Sequence, residues 1–407
     1  MMRRWAGRAA SLRPLVLTAV LSLPAASVVS AQSSVGPAEP PVNLYGVVPP
    51  DASGVQGAAA SDLTGPAAGG AIHAKRGEFL IAPLPMVNPT LENGLAFAVG
   101  YLYRVDATDT MTAPSVSAIG GFKTSNGSWA GMAFQSLRLA HDRFRFMGVF
   151  GYSDLNYAFY GIGEDAGAAG SPVELNQTGP VGVVEGLVRV RNQWYVGARY
   201  LLLHMRIATL ETPLEGPAVP PDDADLRTAG LGPRVDFDSR DNPFYPRTGL
   251  QFQGVASFYG ESVGGRRSYQ AYEGMLNGYQ SVGTRHVLAW HVGACGVSGA
   301  APFYDLCMLG RSRDLRGYPM GQYRDRAMIA TQAEWRSEWW WRFGATAFLG
   351  AGEVKPDFGA LTWKDALPGG GVGLRFTLAQ RNHVNLRADY AWGRDSTGLY
   401  ISVAEAF

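Results

Sequence analysis

Apolar and polar residues alternate with a period of two along most of the chain, from about residue 78 to its end. One such segment places on a single face Leu95, Phe97, Val99, Tyr101 and Tyr103. Small residues and an arginine occupy the opposite face of that segment. Alternation of this kind is the pattern of β-strands that have one apolar and one polar side. The sequence therefore predicts an all-β protein.

Strand length distinguishes a soluble β-sandwich from a membrane barrel. The alternation recurs in sixteen segments, at 78–86, 94–104, 113–123, 127–138, 143–161, 172–190, 192–208, 225–238, 248–262, 266–283, 285–299, 327–339, 342–354, 367–381, 382–395 and 398–407. Many of them exceed the roughly 5 to 6 residues that are usual in globular sheets. Tryptophan and tyrosine lie near the ends of the apolar faces, as in the interfacial girdles of outer-membrane barrels. We predict a 16-stranded antiparallel transmembrane β-barrel.

The lengths of the connections agree with this prediction. An even number of strands places both ends of the barrel on the periplasmic side, with short turns there and long loops outside. Tight periplasmic turns are predicted at Asp241-Asn242-Pro243 and at the junction 381–382, whereas 209–224 and 300–326 are long.

The N-terminal region has a different composition. Four arginines, an apolar run over 15–23 and a small-residue site ending at Ala31 predict a signal peptide over 1–31. Residues 32–76 are rich in proline, alanine, glycine and serine, so we expect a flexible periplasmic tail. The barrel then covers 77–407. No later stretch approaches the roughly 20 apolar residues of a membrane-spanning helix.

Charge and composition argue against several functions. A net charge of +1 without a basic stripe predicts no nucleic-acid partner. The six histidines are scattered, so no metal, cofactor or catalytic triad is predicted. Residues 260–264 match the nucleophile-elbow pattern, but that motif requires a strand-to-helix turn, and here another strand follows. We expect that the protein is not an enzyme.

Three stretches resemble the bacterial surface antigen superfamily of outer-membrane β-barrels. They are residues 236–249 (DFDSRDNPFYPRTG), similar to a mid-barrel periplasmic turn; Leu315-Arg316-Gly317-Tyr318, similar to the tip of the sixth extracellular loop; and the terminal aromatic Phe407. The resemblance covers Glu78 to Phe407 and implies the bacterial outer membrane, where the best-understood members insert or translocate proteins. The segment before the barrel is too short for the periplasmic polypeptide-transport-associated domains of those relatives, so we expect a form that lacks them.

The resemblance also implies a role for Arg316. In the family the sixth loop folds into the lumen, and its arginine pairs with acidic residues on strands twelve and thirteen. Alternation turns Glu334 of strand twelve inward, which makes it the predicted partner in a bidentate pair. Gly350 stands where the family often has an aspartate on strand thirteen. Arg316 then either relies on Glu334, aided by Glu338, or holds the loop less firmly; the alternative is a solvated surface loop.

The C-terminal segment is similar to the signal that the barrel-assembly machinery reads on its clients. Leu399, Ile401, Val403 and Phe407 are expected on one face, and we assign the signal to Tyr400 and Phe407. The protein would then be a client of that machinery.

Two further features concern the barrel wall. Cys295 and Cys307 are close enough in sequence for a disulfide in an oxidising compartment, the alternative being two unpaired thiols. Pro83 and Pro85 interrupt the first strand and supply no ladder donors. The seam between first and last strands is therefore expected to be short. It is either a lateral gate or a rim where the prolines merely end the pairing.

These features predict an outer-membrane barrel that assists insertion or translocation of proteins or lipids through a weak seam. Its expected partners are outer-membrane lipid and a protein cargo. The alternative is a passive or loop-plugged channel without translocase activity. A lipid-modifying enzyme lacks a credibly placed nucleophile and base.

Overall fold

Sixteen antiparallel strands close into a barrel in the computed structural model, which describes residues 78–106, 109, 112, 114–210, 220–380 and 383–407. The strands are β1 (Glu78–Asn88), β2 (Glu92–Tyr103), β3 (Ser115–Thr124), β4 (Trp129–Leu139), β5 (Phe144–Phe159), β6 (Val173–Arg191), β7 (Trp194–Thr209), β8 (Asp225–Asp238), β9 (Gly249–Tyr259), β10 (Tyr269–Val282), β11 (His286–Gly299), β12 (Ala327–Trp340), β13 (Phe343–Lys355), β14 (Leu367–Ala379), β15 (Val384–Trp392) and β16 (Thr397–Val403). Each strand pairs with its neighbours in chain order, and β16 returns to β1. The architecture predicted from the alternation is confirmed. The predicted signal peptide, the predicted tail and the junction 381–382 lie outside the described residues.

The connections differ between the two ends of the barrel. The end where β1 begins, called the turn end, has short connections such as 192–193, 283–285 and 341–342. The opposite loop end carries the long connections 300–326 and 160–172, the second of which contains the helix α1 (Glu164–Ala169). The connection 239–248 at the turn end is longer than the tight turn predicted at Asp241-Asn242-Pro243.

The two faces of the wall differ as the alternation requires. Leu95 and Phe97 on β2 are more than half exposed, at 57% and 56%. Gln251 and Gln253 on β9 are buried, at 2% and 3%. Apolar side chains thus cover the outside, and polar side chains are turned inward.

Part of the inner wall is apolar rather than polar. Val149, Leu203 and Met205 project inward near the loop end and are fully buried. They belong to one cluster with Phe303 and Leu309 of the connection 300–326. The principal hydrophobic core of the described residues therefore lies inside the barrel, beneath the long loop.

None of the helices among the described residues is long and apolar enough to cross a bilayer.

The seam between β1 and β16 is much shorter than the other strand pairings. Among the described residues it consists of one residue pair, Val87 opposite Ile401. The adjacent β15–β16 pairing extends from Leu386 opposite Val403 to Trp392 opposite Thr397. Toward the turn end, the described part of β1 pairs only with β2.

The end of the chain turns into the lumen. β16 stops at Val403, and Ala404 adopts a left-handed backbone with φ 71°. The Phe407 ring then lies 5.4 Å from the His291 ring of β11, and Arg336 lies over its face. The expectation that Phe407 shares one face with Leu399, Ile401 and Val403 is therefore wrong, because the last strand ends at Val403, four residues before Phe407.

Candidate functional site

The connection 300–326 joins β11 to β12, the position that strand counting predicted. A short ribbon pairs Cys307–Met308 with Arg324–Asp325 near its ends. Between these two segments, Leu315, Arg316 and Tyr318 are completely buried. Their contacts are with inward-facing residues of the last five strands, so this loop tip is the candidate functional site.

Arg316 binds two carboxylates at once. Its Nη2 hydrogen-bonds Glu334 on β12, and its Nη1 lies 2.5 Å from Oδ2 of Asp389 on β15. Its Nε donates to Gln332 Oε1 at 3.3 Å. All three charged side chains are completely buried, so the guanidinium is neutralised where water is excluded.

The face of the Arg316 guanidinium is also occupied. Its central carbon lies 3.5 Å from the ring centroid of Phe348, an inward-facing residue of β13. A cation over an aromatic face gains electrostatic stabilisation, and more when desolvated. We call Arg316, Glu334, Asp389, Gln332 and Phe348 the latch cluster.

Asp389 is the functional residue that the sequence interpretation missed. The alternation of β15 turns Asp389 inward, opposite to Tyr390 and Trp392, whereas the resemblance implied acids only on strands twelve and thirteen. Glu338, the suggested helper, instead forms an ion pair with Arg247 at 2.8 Å. The second carboxylate thus comes from a different strand, and Gly350 does not leave Arg316 with a single acid.

Gly350 has a packing role of its own. A Cβ at position 350 would lie 2.4 Å from the Thr331 carbonyl oxygen and 3.1 Å from Leu315 Cδ1. A Cβ on Gly369 of β14 would lie 2.8 Å from the same Leu315 atom. The two glycines therefore create the groove that Leu315 fills.

Gly317 and Tyr318 fasten the tip to the last strands. Gly317 has φ 113°, and a side chain there would meet the Trp392 backbone. Its N–H donates to the Tyr400 hydroxyl at 3.0 Å. The Tyr318 hydroxyl donates to Pro368 O at 2.6 Å and accepts from Arg394 N at 2.8 Å. Tyr400, assigned above to a sorting signal, is turned inward and 2% exposed.

The opposite side of the tip contacts β11. Asp314 Oδ1 lies 3.1 Å from His291 Nε2. Burial raises the pKa of Asp314, but the His291 hydrogen bond and the nearby Arg313 and Arg311 outweigh it and lower that pKa to about 2. The Asp314 carboxylate is therefore ionised at neutral pH.

Cys295 of β11 and Cys307 of the loop are joined by a disulfide, with their Cα atoms 5.6 Å apart. The bond connects the beginning of the loop to the wall. Pro83 and Pro85 lie in the part of β1 that pairs only with β2, and both are exposed.

The connection 239–248 reaches the seam from the other side of the barrel. Phe244 packs with Leu84 of β1, Val384 of β15 and Val403 of β16. Phe244 is 5% exposed. It fills the space at the turn end where β16 has stopped and β1 continues.

The nucleophile-elbow match occupies a strand-to-strand connection. β9 ends at Tyr259, residues Glu261–Val263 form a short 3-10 turn, and β10 begins at Tyr269.

Comparisons with known proteins agree with the barrel. The Omp85 superfamily domain matches residues 189–405, which include the whole latch cluster. No curated protein matches the sequence.

Two of the solved structures with a similar fold are BamA and CdiB. BamA from Haemophilus ducreyi lacking POTRA domains 1–3 has 14% sequence identity and a TM-score of 0.55, with 81% of this chain and 70% of that chain covered. CdiB from Escherichia coli has 11% identity and a TM-score of 0.54, with 81% and 67% covered. At such identities the likeness concerns the fold alone.

Proposed function

The chain belongs to the Omp85 superfamily and is a barrel of the bacterial outer membrane, and we propose that it assists insertion or translocation of proteins, or of lipids, through the seam between β1 and β16. Its partners in this proposal are outer-membrane lipid, a protein cargo, and the barrel-assembly machinery that installs it. No catalytic step is assigned to it.

The single residue pair of the seam carries this proposal. Val87 opposite Ile401 is the whole pairing between β1 and β16 in the described chain, whereas neighbouring strands pair over most of their length. Separating two strands costs the hydrogen bonds and side-chain contacts of their ladder. The wall therefore opens at lowest cost at this seam.

Prolines on β1 limit what the opened edge accepts. Pro83 and Pro85 provide no N–H, and an edge without regular donors resists indiscriminate pairing with other strands. A client segment would add its strand near Val87, beyond the prolines.

The loop tip controls this opening in our proposal. On one side Gly317 N–H donates to Tyr400 of β16. On the other side Met320 N donates to Thr90 Oγ1, in the connection from β1 to β2, at 2.8 Å. The tip thus bridges both sides of the seam, and the latch cluster holds the tip in place.

A cysteine pair across the seam tests the proposal. Directly opposed residues of antiparallel strands are close enough for a disulfide, so Val87→Cys with Ile401→Cys should lock the seam. The matched control, Leu374→Cys with Ala388→Cys, locks the fully paired β14–β15 ladder. The outer-membrane proteome and lipid content are compared with those of a strain lacking the protein.

We expect the seam lock to reproduce the strain without the protein, and reductant to reverse the effect. The β14–β15 lock should behave as wild type under both conditions. Full activity of the oxidised seam lock would contradict the proposal. A steady solute conductance in planar bilayers, unchanged by the lock, would instead support the passive channel.

A further inference from the structure

A cavity of about 240 Å³ lies at the turn end of the barrel. The connection 341–342 between β12 and β13 forms one side of it, and Tyr245 of the connection 239–248 forms another. Arg285 and Gln380 are exposed residues of its lining, and Arg342 is half-buried. The cavity is therefore accessible from the turn end.

The lining is rich in positive charge. Four arginines face the cavity, namely Arg285, Arg336, Arg342 and Arg375, against one carboxylate, Glu338. Glu338 is already paired with Arg247 at 2.8 Å. Arg336 and Arg375 are also paired, with Glu334, Glu405 and Asp389. The charges of Arg285 and Arg342 remain to favour an anion.

Two of these arginines are buried and each has a free donor. Arg336 uses Nε for Glu334 at 2.9 Å and Nη2 for the Phe407 carbonyl oxygen at 2.8 Å, while its Nη1 has no partner. Arg375 uses Nε for Glu405 at 2.8 Å and Nη1 for Asp389 at 2.5 Å, while its Nη2 has no partner. Arg336 is 1% exposed and Arg375 is 4% exposed. Both arginines line the cavity. Buried donors without acceptors are unfavourable, so two such donors on residues that line one cavity indicate a ligand that accepts hydrogen bonds.

The rim of the cavity indicates the source of that ligand. Trp340 and Trp341 are 75% and 67% exposed, and the Arg342 guanidinium lies 5.5 Å from the Trp341 ring centroid. Exposed tryptophans of membrane proteins lie at the level of the lipid headgroups. The cavity is thus at the depth where a phosphodiester of the lipid leaflet is available.

We propose that this cavity binds the phosphate of an anionic phospholipid headgroup. The buried donors of Arg336 and Arg375 bind the phosphate oxygens, Arg285 and Arg342 add charge at the entrance, and the tryptophans contact the glycerol and upper acyl chains. Guanidinium groups suit phosphate because their planar donors match its oxygens. This site is independent of the proposed opening of the seam.

The test measures lipid binding to the full chain purified in detergent and stripped of lipid. Short-chain phosphatidylglycerol, phosphatidylcholine and inorganic phosphate are titrated separately, and bound species are counted by native mass spectrometry. The variant Arg285→Gln with Arg342→Gln removes two entrance charges without touching the latch cluster. Its matched control, Arg227→Gln with Arg266→Gln, removes two exposed arginines of the loop half.

We expect one phosphatidylglycerol to bind wild type and control equally, and the entrance variant about tenfold more weakly, which corresponds to about 1.4 kcal/mol. Phosphatidylcholine should bind more weakly than phosphatidylglycerol. Equal affinity of the entrance variant and the control for phosphatidylglycerol would overturn the site. Inorganic phosphate binding as tightly as phosphatidylglycerol would overturn the lipid as its source.

Discussion

Arg316 of the long loop and Asp389 of β15 form a buried ion pair, with 2.5 Å between Nη1 and Oδ2. Asp389 also receives hydrogen bonds from Arg375 and Arg387. One carboxylate therefore joins the loop to the wall beside the last strand. This geometry replaces the acid that the family often places on strand thirteen.

Asp389→Asn is expected to release the loop tip. Removing one partner of a buried ion pair costs about 3–5 kcal/mol, because it leaves uncompensated charge. Protease should cleave 300–326 faster in this variant, and the folded barrel should lose heat resistance on gels. Asp395→Asn, at an exposed aspartate, is the control. If protease cleaved 300–326 no faster in Asp389→Asn than in wild type, Glu334 alone would be enough to hold Arg316.

Placing an acid at position 350 should weaken the latch cluster rather than strengthen it. A Cβ there would lie 2.4 Å from Thr331 O and would crowd Leu315. Overpacking of this kind costs about 1–3 kcal/mol. Both Gly350→Ala and Gly350→Asp should lower the denaturant midpoint, whereas Gly131→Ala, where a Cβ meets nothing within 4 Å, should not. Rescue of Asp389→Asn by Gly350→Asp would contradict this expectation.

Phe244→Ala should loosen the seam at the turn end. The ring packs on Leu84, Val384 and Val403, and truncation of a buried phenylalanine costs about 3–5 kcal/mol. Hydrogen exchange of β1 amides should rise, with little change in β9 to β13. Phe358→Ala, which removes a ring that is 53% exposed, provides the comparison. If the β1 amides of Phe244→Ala exchanged as slowly as in wild type, Phe244 would not stabilise the seam.

Acid should destabilise the loop through Asp314. Its pKa is about 2 in the folded barrel and about 3.9 when unfolded. A lowered folded pKa means that this contribution is complete above about pH 4 and is lost as the pH falls to about 2. The contribution is on the order of 2 kcal/mol. Pepsin cleavage of the loop should therefore accelerate between pH 4 and pH 2 in wild type, and Asp314→Asn should show a smaller change. An identical pH profile in both proteins would refute the assignment.

The sequence predicted the wall well because each strand carries its own pattern. Alternation in β2, β9 and β15 identifies the inner and outer faces without reference to other strands, and even the position of the long loop followed from counting. The same alternation predicted that Glu334 points inward. It is hydrogen-bonded to Arg316.

The contacts that the sequence did not reveal join residues that are far apart in the chain and meet across the lumen. Alternation says that Asp389 points inward but not that a loop tip comes within reach of it. Likewise, the pattern of 236–249 does not indicate that Phe244 reaches β1 and β16. After Val403 the chain turns inward and brings Glu405 and the Phe407 carbonyl to Arg375 and Arg336. These two arginines are also distant from the C-terminus in sequence.

The separation of the Arg316 partners along the chain has a consequence for assembly. Glu334 follows Arg316 by 18 residues and Asp389 by 73, while Phe407 O is bound by Arg336 beside the same cluster. The loop tip cannot complete its contacts until the penultimate strand is in place, and Tyr400 on the last strand adds a further bond. Arg316 therefore forms its ion pairs late, after the wall is nearly complete. A barrel arrested before β15 would keep a loop that is not bound to the wall.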